Sequence, residues 1–299
     1  MEVFVASPRG FCAGVVRAID IVEIALKRFG APVYVKHQIV HNQYVVDSLE
    51  EKGAVTVDDI NEVPIGSVVV FSAHGSPPTD YKKAASRELK VIDATCPLVS
   101  KVHNEARKYS NENNKIILIG HKGHQEVQGT MGQTDMKLID EREGADLPNW
   151  DSNSSVVVLT QTTLSVADTQ STVKEISKRF PNAKIRNDIC YATTNRQRAV
   201  QDLVKTVDLL LVIGSQTSSN CNRLTEVARQ FGVTSYLING PDEIKPEWLS
   251  SFNRIGISSG ASTPEELVQR VIEAIAPDKV TALEGVEEDI TFVLPKEIR

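Results

Sequence analysis

Arg9–Gly10–Phe11–Cys12–Ala13–Gly14–Val15 is the stretch from which the fold reads outward. Before it, Val3–Ala6 has the β-branched and aromatic character of a short buried strand. After it, Val15 to Leu26 carries apolar residues at helical spacing. The cysteine therefore sits in a Gly-flanked turn between a strand and a helix. Thr95–Cys96–Pro97 and Ile189–Cys190–Tyr191 occupy the same kind of place. Further strands are expected at Val33–Lys36, Val68–Ser72, Val91–Asp93, Ile116–Gly120, Val156–Thr160, Ile185–Asp188, Leu209–Gly214 and Ile255–Ser258. Most are followed by a polar or Gly-rich turn and an amphipathic segment. That alternation predicts the α/β class with largely parallel sheets.

These units form an internal repeat, three sets of three. Each set opens with a cysteine. A second strand ends in His41–Asn42, His124–Gln125–Glu126 or Ser218–Ser219–Asn220, and a third in His74–Gly75–Ser76, Thr162–Thr163 or Ser262–Thr263. From Cys12 to His41, Cys96 to His124 and Cys190 to Ser218 the spacing is 29, 28 and 28 residues. From the same cysteines to His74, Thr162 and Ser262 it is 62, 66 and 72. Parallel α/β sheets bind ligands beyond the carboxyl ends of their strands, where all these residues fall. Three pseudo-symmetric α/β domains, 1–93, 94–183 and 184–299, would bring the three thiols to one point on a common axis if they face it. The competing reading is three small domains with separately buried cysteines.

Composition narrows the chemistry. The 299 residues carry a net charge of −6, the wrong sign for a generic nucleic-acid groove. No apolar run reaches the roughly 18 residues of a membrane span, and no basic-then-apolar leader opens the chain. The expectation is a cytoplasmic protein with neither nucleic-acid nor membrane partner. Four cysteines in such a setting point to metal or redox chemistry rather than to disulfides.

Cys12, Cys96 and Cys190 each stand at or near a helix start, where unpaired amides and the positive dipole end favour thiolate. Three thiolates suit a soft metal and leave one coordination position open. Their spacings of 84 and 94 residues match no zinc-finger pattern. Cys221 has no counterpart in the other sets and reads as a thiol of its local turn. Hydroxyls, an amide and helix N-termini at Ser218, Ser219, Asn220 and Ser262 make an anion site suited to phosphate oxygens. His41, His74 and His124 can add adjustable positive charge. His37 reads as a structural hydrogen-bonder and His103 as part of the helix after Cys96, while His121 with His124 gives a weak metal-pair signal that the intervening glycine assigns to a loop. Glu126 is the carboxylate at a repeat-related strand end. Like-charge repulsion from thiolates and a bound anion should raise its proton affinity and make it a general acid. Its alternative role is to cap the helix beginning at Val127. Thr162 and Thr163 would position substrate or relay a proton, or else cap strand ends.

These segments, with Ala73–His74–Gly75, Asp93–Ala94–Thr95–Cys96–Pro97, Gly120–His121–Lys122–Gly123–His124–Gln125–Glu126, Thr160–Gln161–Thr162–Thr163 and Gly260–Ala261–Ser262 in order along nearly the whole chain, resemble the family of 4-hydroxy-3-methylbut-2-enyl diphosphate reductases. The resemblance implies a cloverleaf of three α/β domains around a [4Fe–4S] cluster held by Cys12, Cys96 and Cys190, with one iron open to the substrate hydroxyl. It further implies that His41, His74, His124, Ser218, Ser219, Asn220 and Ser262 hold the diphosphate, that Glu126 supplies protons, and that Thr162 holds the hydroxyl. The implied reaction is a two-electron, two-proton dehydroxylation of an allylic diphosphate, with ferredoxin or flavodoxin as electron donor. The rival functions are a zinc-dependent hydrolase of a phosphorylated substrate and a non-enzymatic iron–sulfur sensor.

Overall fold

The computed structural model describes residues 1–144 and 146–299, with Asp168 described by its backbone alone. The chain runs β1 (Glu2–Val5), α1 (Ala13–Phe29), β2 (Val33–Lys36), α2 (Gln43–Glu51), β3 (Ala54–Val57), β4 (Val68–Phe71), α3 (Pro78–Ser86), β5 (Lys90–Asp93) and α4 (Pro97–Asn111). It continues through β6 (Lys115–Ile119), α5 (Gln125–Met131), β7 (Lys137–Ile139), β8 (Val156–Thr160), α6 (Val166–Arg179), β9 (Lys184–Ile185) and α7 (Tyr191–Leu203). Last come β10 (Leu209–Ile213), α8 (Ser219–Gln230), β11 (Thr234–Ile238), α9 (Pro246–Ser251), β12 (Arg254–Ser259), α10 (Glu265–Ile275) and β13 (Lys279–Ala282).

The strands form three wholly parallel sheets, ordered β3-β2-β4-β5, β7-β6-β8-β9 and β11-β10-β12-β1-β13. The expected α/β class is thus observed, and the repeat is visible as one strand order used three times. Central strands such as β8 (VVVLT) and β10 (LLLVI) are buried along their whole length, as sheets covered on both faces require. In the third sheet, Leu209, Leu211 and Ile213 pack with α10, while Leu210 and Val212 pack with α7 and α8. In the second sheet, Ile117 and Val158 face the α6 side, and Ile116, Leu118 and Val157 face α4 and α5.

The cysteine strands complete the sheets in one manner. β5 pairs with β4 (Val70↔Ile92), β9 with β8 (Val158↔Ile185) and β1 with β12 (Val3↔Ile255). Each cysteine strand therefore lies beside the third strand of the set preceding it, with β1 closing the cycle. Sheet membership differs from the ranges 1–93, 94–183 and 184–299 at two strands. β1 belongs with β10–β12, and β9 belongs with β6–β8. By compactness the chain divides into two units: a smaller one of 1–16, 41–45 and 191–291, holding the third sheet, and a larger one of 17–40, 46–190 and 292–299, holding the other two.

Four strands were not expected from sequence: β3, β7, β11 and β13. All lie at sheet edges and are short or only partly buried, so they lack the continuous apolar run of the inner strands. The Ile290–Leu294 run is irregular chain, and the strand added to the third sheet lies earlier, at β13. Among the described residues no helix is long and apolar enough to cross a membrane.

Candidate active site

The strand pairing fixes the cysteine turns. The Cys96 amide donates to the Ala73 carbonyl at 3.0 Å, the Cys190 amide to Thr162 at 3.0 Å and the Cys12 amide to Ala261 at 3.1 Å. Each bond continues a parallel ladder past the strand end, so each cysteine is tied to a loop carrying His74, Thr162 or Ser262. Gly10, at φ +72°, supplies the left-handed step that turns the chain from β1 toward Cys12. The Cys12 carbonyl then accepts from Val15 and Val16, both at 3.0 Å, and starts α1. Cys96 is the N-cap of α4 with Pro97 at the first helical position, and Cys190 immediately precedes α7.

All three cysteines are partly exposed and none of the four is in a disulfide. Cys221 differs: it is fully buried, and burial pushes its thiol up to about 11. Its sulfur fills the space left by Gly214 and Gly260, where a Cβ would overlap it. That is a packing role. Among the described residues no three His, Cys, Asp or Glu side chains gather as a ready metal site. Cys12 belongs to the smaller unit, Cys96 and Cys190 to the larger.

The smaller unit holds a neutral polar cradle where β10 and β12 end. These strands flank the switch point at which the order reverses, the position at which open α/β sheets bind ligands. Ser218 caps α8, its Oγ accepting from the Cys221 amide at 3.3 Å. Ser262 Oγ donates to the His41 carbonyl at 3.0 Å, which brings those two predicted residues together. Asn42 Oδ1 accepts from the Val45 amide at 3.3 Å and so holds the start of α2. Ser219 Oγ and both side-chain polar atoms of Asn220 are buried with no protein partner. Such atoms cost about 1–3 kcal/mol each unless a ligand or water satisfies them. Beyond a helix N-terminus, the Ser219 hydroxyl and Asn220 Nδ2 are the donors an anion's oxygens would meet.

The larger unit holds the acid. Glu126 lies in the first turn of α5 and is only 4% exposed. The helix cap is His124, whose Nδ1 accepts from the Glu126 amide at 3.2 Å, so the carboxyl is not spent on capping. It turns to Thr162 instead: Oε1 accepts from the Thr162 amide at 2.6 Å and Oε2 from Thr162 Oγ1 at 2.9 Å. Burial raises the Glu126 carboxyl to about 7, against the two Thr162 hydrogen bonds, which lower it; the nearby Asp188 charge adds a smaller upward push. The raised proton affinity is as expected, but desolvation rather than repulsion by thiolates is its principal cause. His74 and His124 face each other edge-on, with ring centroids 6.1 Å apart. Ser72 Oγ lies 3.3 Å from His74 Nδ1.

Thr163 Oγ1 accepts from Gln161 Nε2 at 2.8 Å, and Gln161 Oε1 accepts from the His121 amide at 3.0 Å. Gln161 thereby braces the His121–His124 loop. It was missed in sequence because an amide at a strand end has no distinctive spacing. His103 is buried in α4 beside Gly75, where a Cβ would overlap its ring, and burial lowers it to about 4. It is the structural histidine expected.

Strand-end thiols, a cradle of buried polar atoms without protein partners and a buried carboxyl whose proton affinity is raised to about 7 are equipment for chemistry on a bound anion, which places the chain in the class of parallel α/β enzymes. The comparisons with known proteins make this specific. The chain belongs to the LytB protein family, whose model matches residues 3–276. A 4-hydroxy-3-methylbut-2-enyl diphosphate reductase of Zymomonas mobilis is 52% identical, across 100% of this chain and 90% of the relative. A second enzyme of that name from Bradyrhizobium diazoefficiens is 52% identical, across 100% of this chain and 99% of the relative. The solved structure of the E-1-hydroxy-2-methyl-but-2-enyl-4-diphosphate reductase of Plasmodium falciparum matches with a TM-score of 0.96 at 37% identity, covering 100% of this chain and 96% of that one. Another solved reductase, described as the terminal enzyme of the non-mevalonate pathway, matches with a TM-score of 0.65 at 33% identity, over 92% and 99%. These relatives support neither the zinc hydrolase nor the non-enzymatic sensor.

Proposed function

We infer that this chain is a cytoplasmic iron–sulfur reductase acting on 4-hydroxy-3-methylbut-2-enyl diphosphate. The allylic C–O bond breaks, two electrons and two protons are consumed, and isopentenyl and dimethylallyl diphosphates leave with water. The observation that carries the reading is the bonding of Thr162. Its amide and hydroxyl meet the buried Glu126 carboxyl, and its carbonyl accepts from Cys190, so one residue joins an acid to a thiol.

The donor set fits the implied cluster: three partly exposed thiols, outside disulfides, at strand-to-helix turns. Cys12, Cys96 and Cys190 would hold a [4Fe–4S] cluster. When bound, it supplies single electrons and a Lewis-acidic iron, neither available from side chains. The chain's own residues do the rest. Hydroxide is a poor leaving group, so a proton must reach the hydroxyl as the C–O bond breaks. The Thr162 amide occupies Glu126 Oε1, which leaves Oε2 as the protonated oxygen. Thr162 Oγ1 donates to the ionised Oε2; with Oε2 protonated the same pair reverses, the hydroxyl accepting that proton while it passes its own to the substrate. Ser218, Ser219, Asn220, Ser262 and His41 would bind diphosphate oxygens, with His74, His124 and Thr163 completing the contacts. A ferredoxin or flavodoxin would deliver the electrons.

Anaerobic purification with iron, zinc and acid-labile sulfide analysis, followed by turnover with a reduced one-electron donor, tests this reading. Iron with sulfide and formation of both isoprenoid diphosphates is expected. A colourless zinc protein without sulfide would overturn it.

A further inference from the structure

We propose that Arg17, Lys101 and Arg196 are a cyclic set of positioning residues, each carried on the helix after one cysteine and each fastening the turn that leads into a different cysteine. Arg17 lies five residues after Cys12, Lys101 five after Cys96 and Arg196 six after Cys190. At 1.5 Å per residue these positions stand about 7–9 Å along their helices, within reach of a long basic side chain to a neighbouring turn.

Arg17 Nη1 donates to the carbonyls of Ala94 at 3.2 Å and Thr95 at 3.1 Å, the two residues before Cys96. Lys101 Nζ meets Asp188 Oδ1 at 3.3 Å, two residues before Cys190. Arg196 Nη2 donates to the Gly10 carbonyl at 2.7 Å, two residues before Cys12. The order is Cys12 helix to Cys96 turn, Cys96 helix to Cys190 turn, Cys190 helix to Cys12 turn. No cation serves the cysteine of its own helix. Each grip lies wholly within one compact unit.

The C-terminal segment supports two of the three, although Arg196 Nε is left without a partner among the described residues. Arg17 and Arg196 are buried, and a buried guanidinium needs its donors met. Val293 O accepts from Arg17 Nε at 2.8 Å. Glu288 accepts from Arg196 Nη1 at 3.1 Å and from Asn195 Nδ2 at 3.1 Å. Lys101 is half exposed and also lies 3.9 Å from Glu105, so it needs no such support. Through Glu288 and Val293, the chain beyond β13 seats two of the three basic side chains.

Any consequence for a cluster rests on the iron–sulfur reading; the fastening itself does not. The test uses the full-length chain stripped of iron under argon, a short iodoacetamide pulse, and mass-spectrometric readout at each cysteine. With each rate divided by the thiolate fraction read from its pH profile, Lys101→Gln should speed alkylation of Cys190 roughly 5–30-fold, the factor that goes with losing one or two hydrogen bonds, with Cys96 unchanged. Arg17→Gln should do the same at Cys96 and not Cys12, and Arg196→Gln at Cys12 and not Cys190. Lys101→Arg should restore the original rate at Cys190, which a general loosening would not allow. Should Arg196→Gln fail to fold, Glu288→Gln replaces it, with Cys12 again the cysteine affected. Equal acceleration at all three cysteines, acceleration at the cysteine of the same helix, or no change overturns the proposal. No substrate or cluster enters the measurement, so its outcome is separate from that of the reductase assignment.

Discussion

The cradle of the smaller unit and the acid of the larger one solve opposite problems with the same kind of strand end. In the cradle, Ser219 Oγ and both polar atoms of Asn220 are buried without protein partners. At the acid, both oxygens of Glu126 are bonded, yet its proton affinity is raised to about 7. The first region holds back hydrogen bonds; the second holds back a proton. Both are costly to stability, because buried unsatisfied groups and buried charge each oppose folding. The difference indicates what each region is for: binding where donors are unmet, and proton transfer where the ionised form is disfavoured.

The largest expected effect removes the thiols on which both regions depend. Cys12→Ser, Cys96→Ser and Cys190→Ser should each lose cluster iron on anaerobic metal analysis, whereas Cys221→Ser should retain it. Full iron in any of the first three would end the idea that these thiols share a cluster.

Next in size is Glu126→Gln. Turnover should fall by roughly 10²-fold or more, the usual scale for a general acid, with substrate affinity and iron content held. Near-normal turnover would remove Glu126 from the mechanism. Asn220→Ala should act in the other direction: KM should rise by roughly tenfold, the cost of a hydrogen bond to a charged group, while the unfolding midpoint stays level or increases. A marked loss of stability in that variant would mean Asn220 is structural.

The smallest effects concern pH. Activity that needs protonated Glu126 should fall as pH rises through about 7. The Thr162 hydroxyl lowers the carboxyl, so Thr162→Val should move that limb to higher pH even as turnover drops. Stability has the same sign. Between the ordinary value of 4.5 and the folded value of about 7, the folded chain keeps a proton that the unfolded chain has released. Stability is therefore greatest below 4.5 on this account and declines as pH rises through 7. Urea unfolding should show Glu126→Gln gaining on the unsubstituted chain from pH 5 to pH 8. A constant difference would mean that Glu126 does not titrate in that window.

Much of this was legible because the repeat is written in residue spacing. The inner strands β6, β8 and β10 are apolar throughout, and Cys12, Cys96 and Cys190 recur at one place in each set. The edge strands β3, β7, β11 and β13 were not legible, since a half-exposed strand of three to five residues carries no periodic signal. Gln161, Arg17, Lys101 and Arg196 were missed for a related reason. Their partners lie in turns distant along the chain, and a basic residue in a helix is unremarkable until its partner is known. In hindsight the places five and six after each cysteine were the available signal.

Sequence by itself determined the α/β class and the threefold repeat, because these follow from hydrophobic period and spacing, and it nominated the residues proposed to carry the chemistry. Tertiary structure alone decided that β1 joins the last sheet and β9 the second, since strand partners are chosen through space. It also decided that burial, not thiolate repulsion, raises Glu126. Desolvation depends on what surrounds a carboxyl in three dimensions, which no local pattern records.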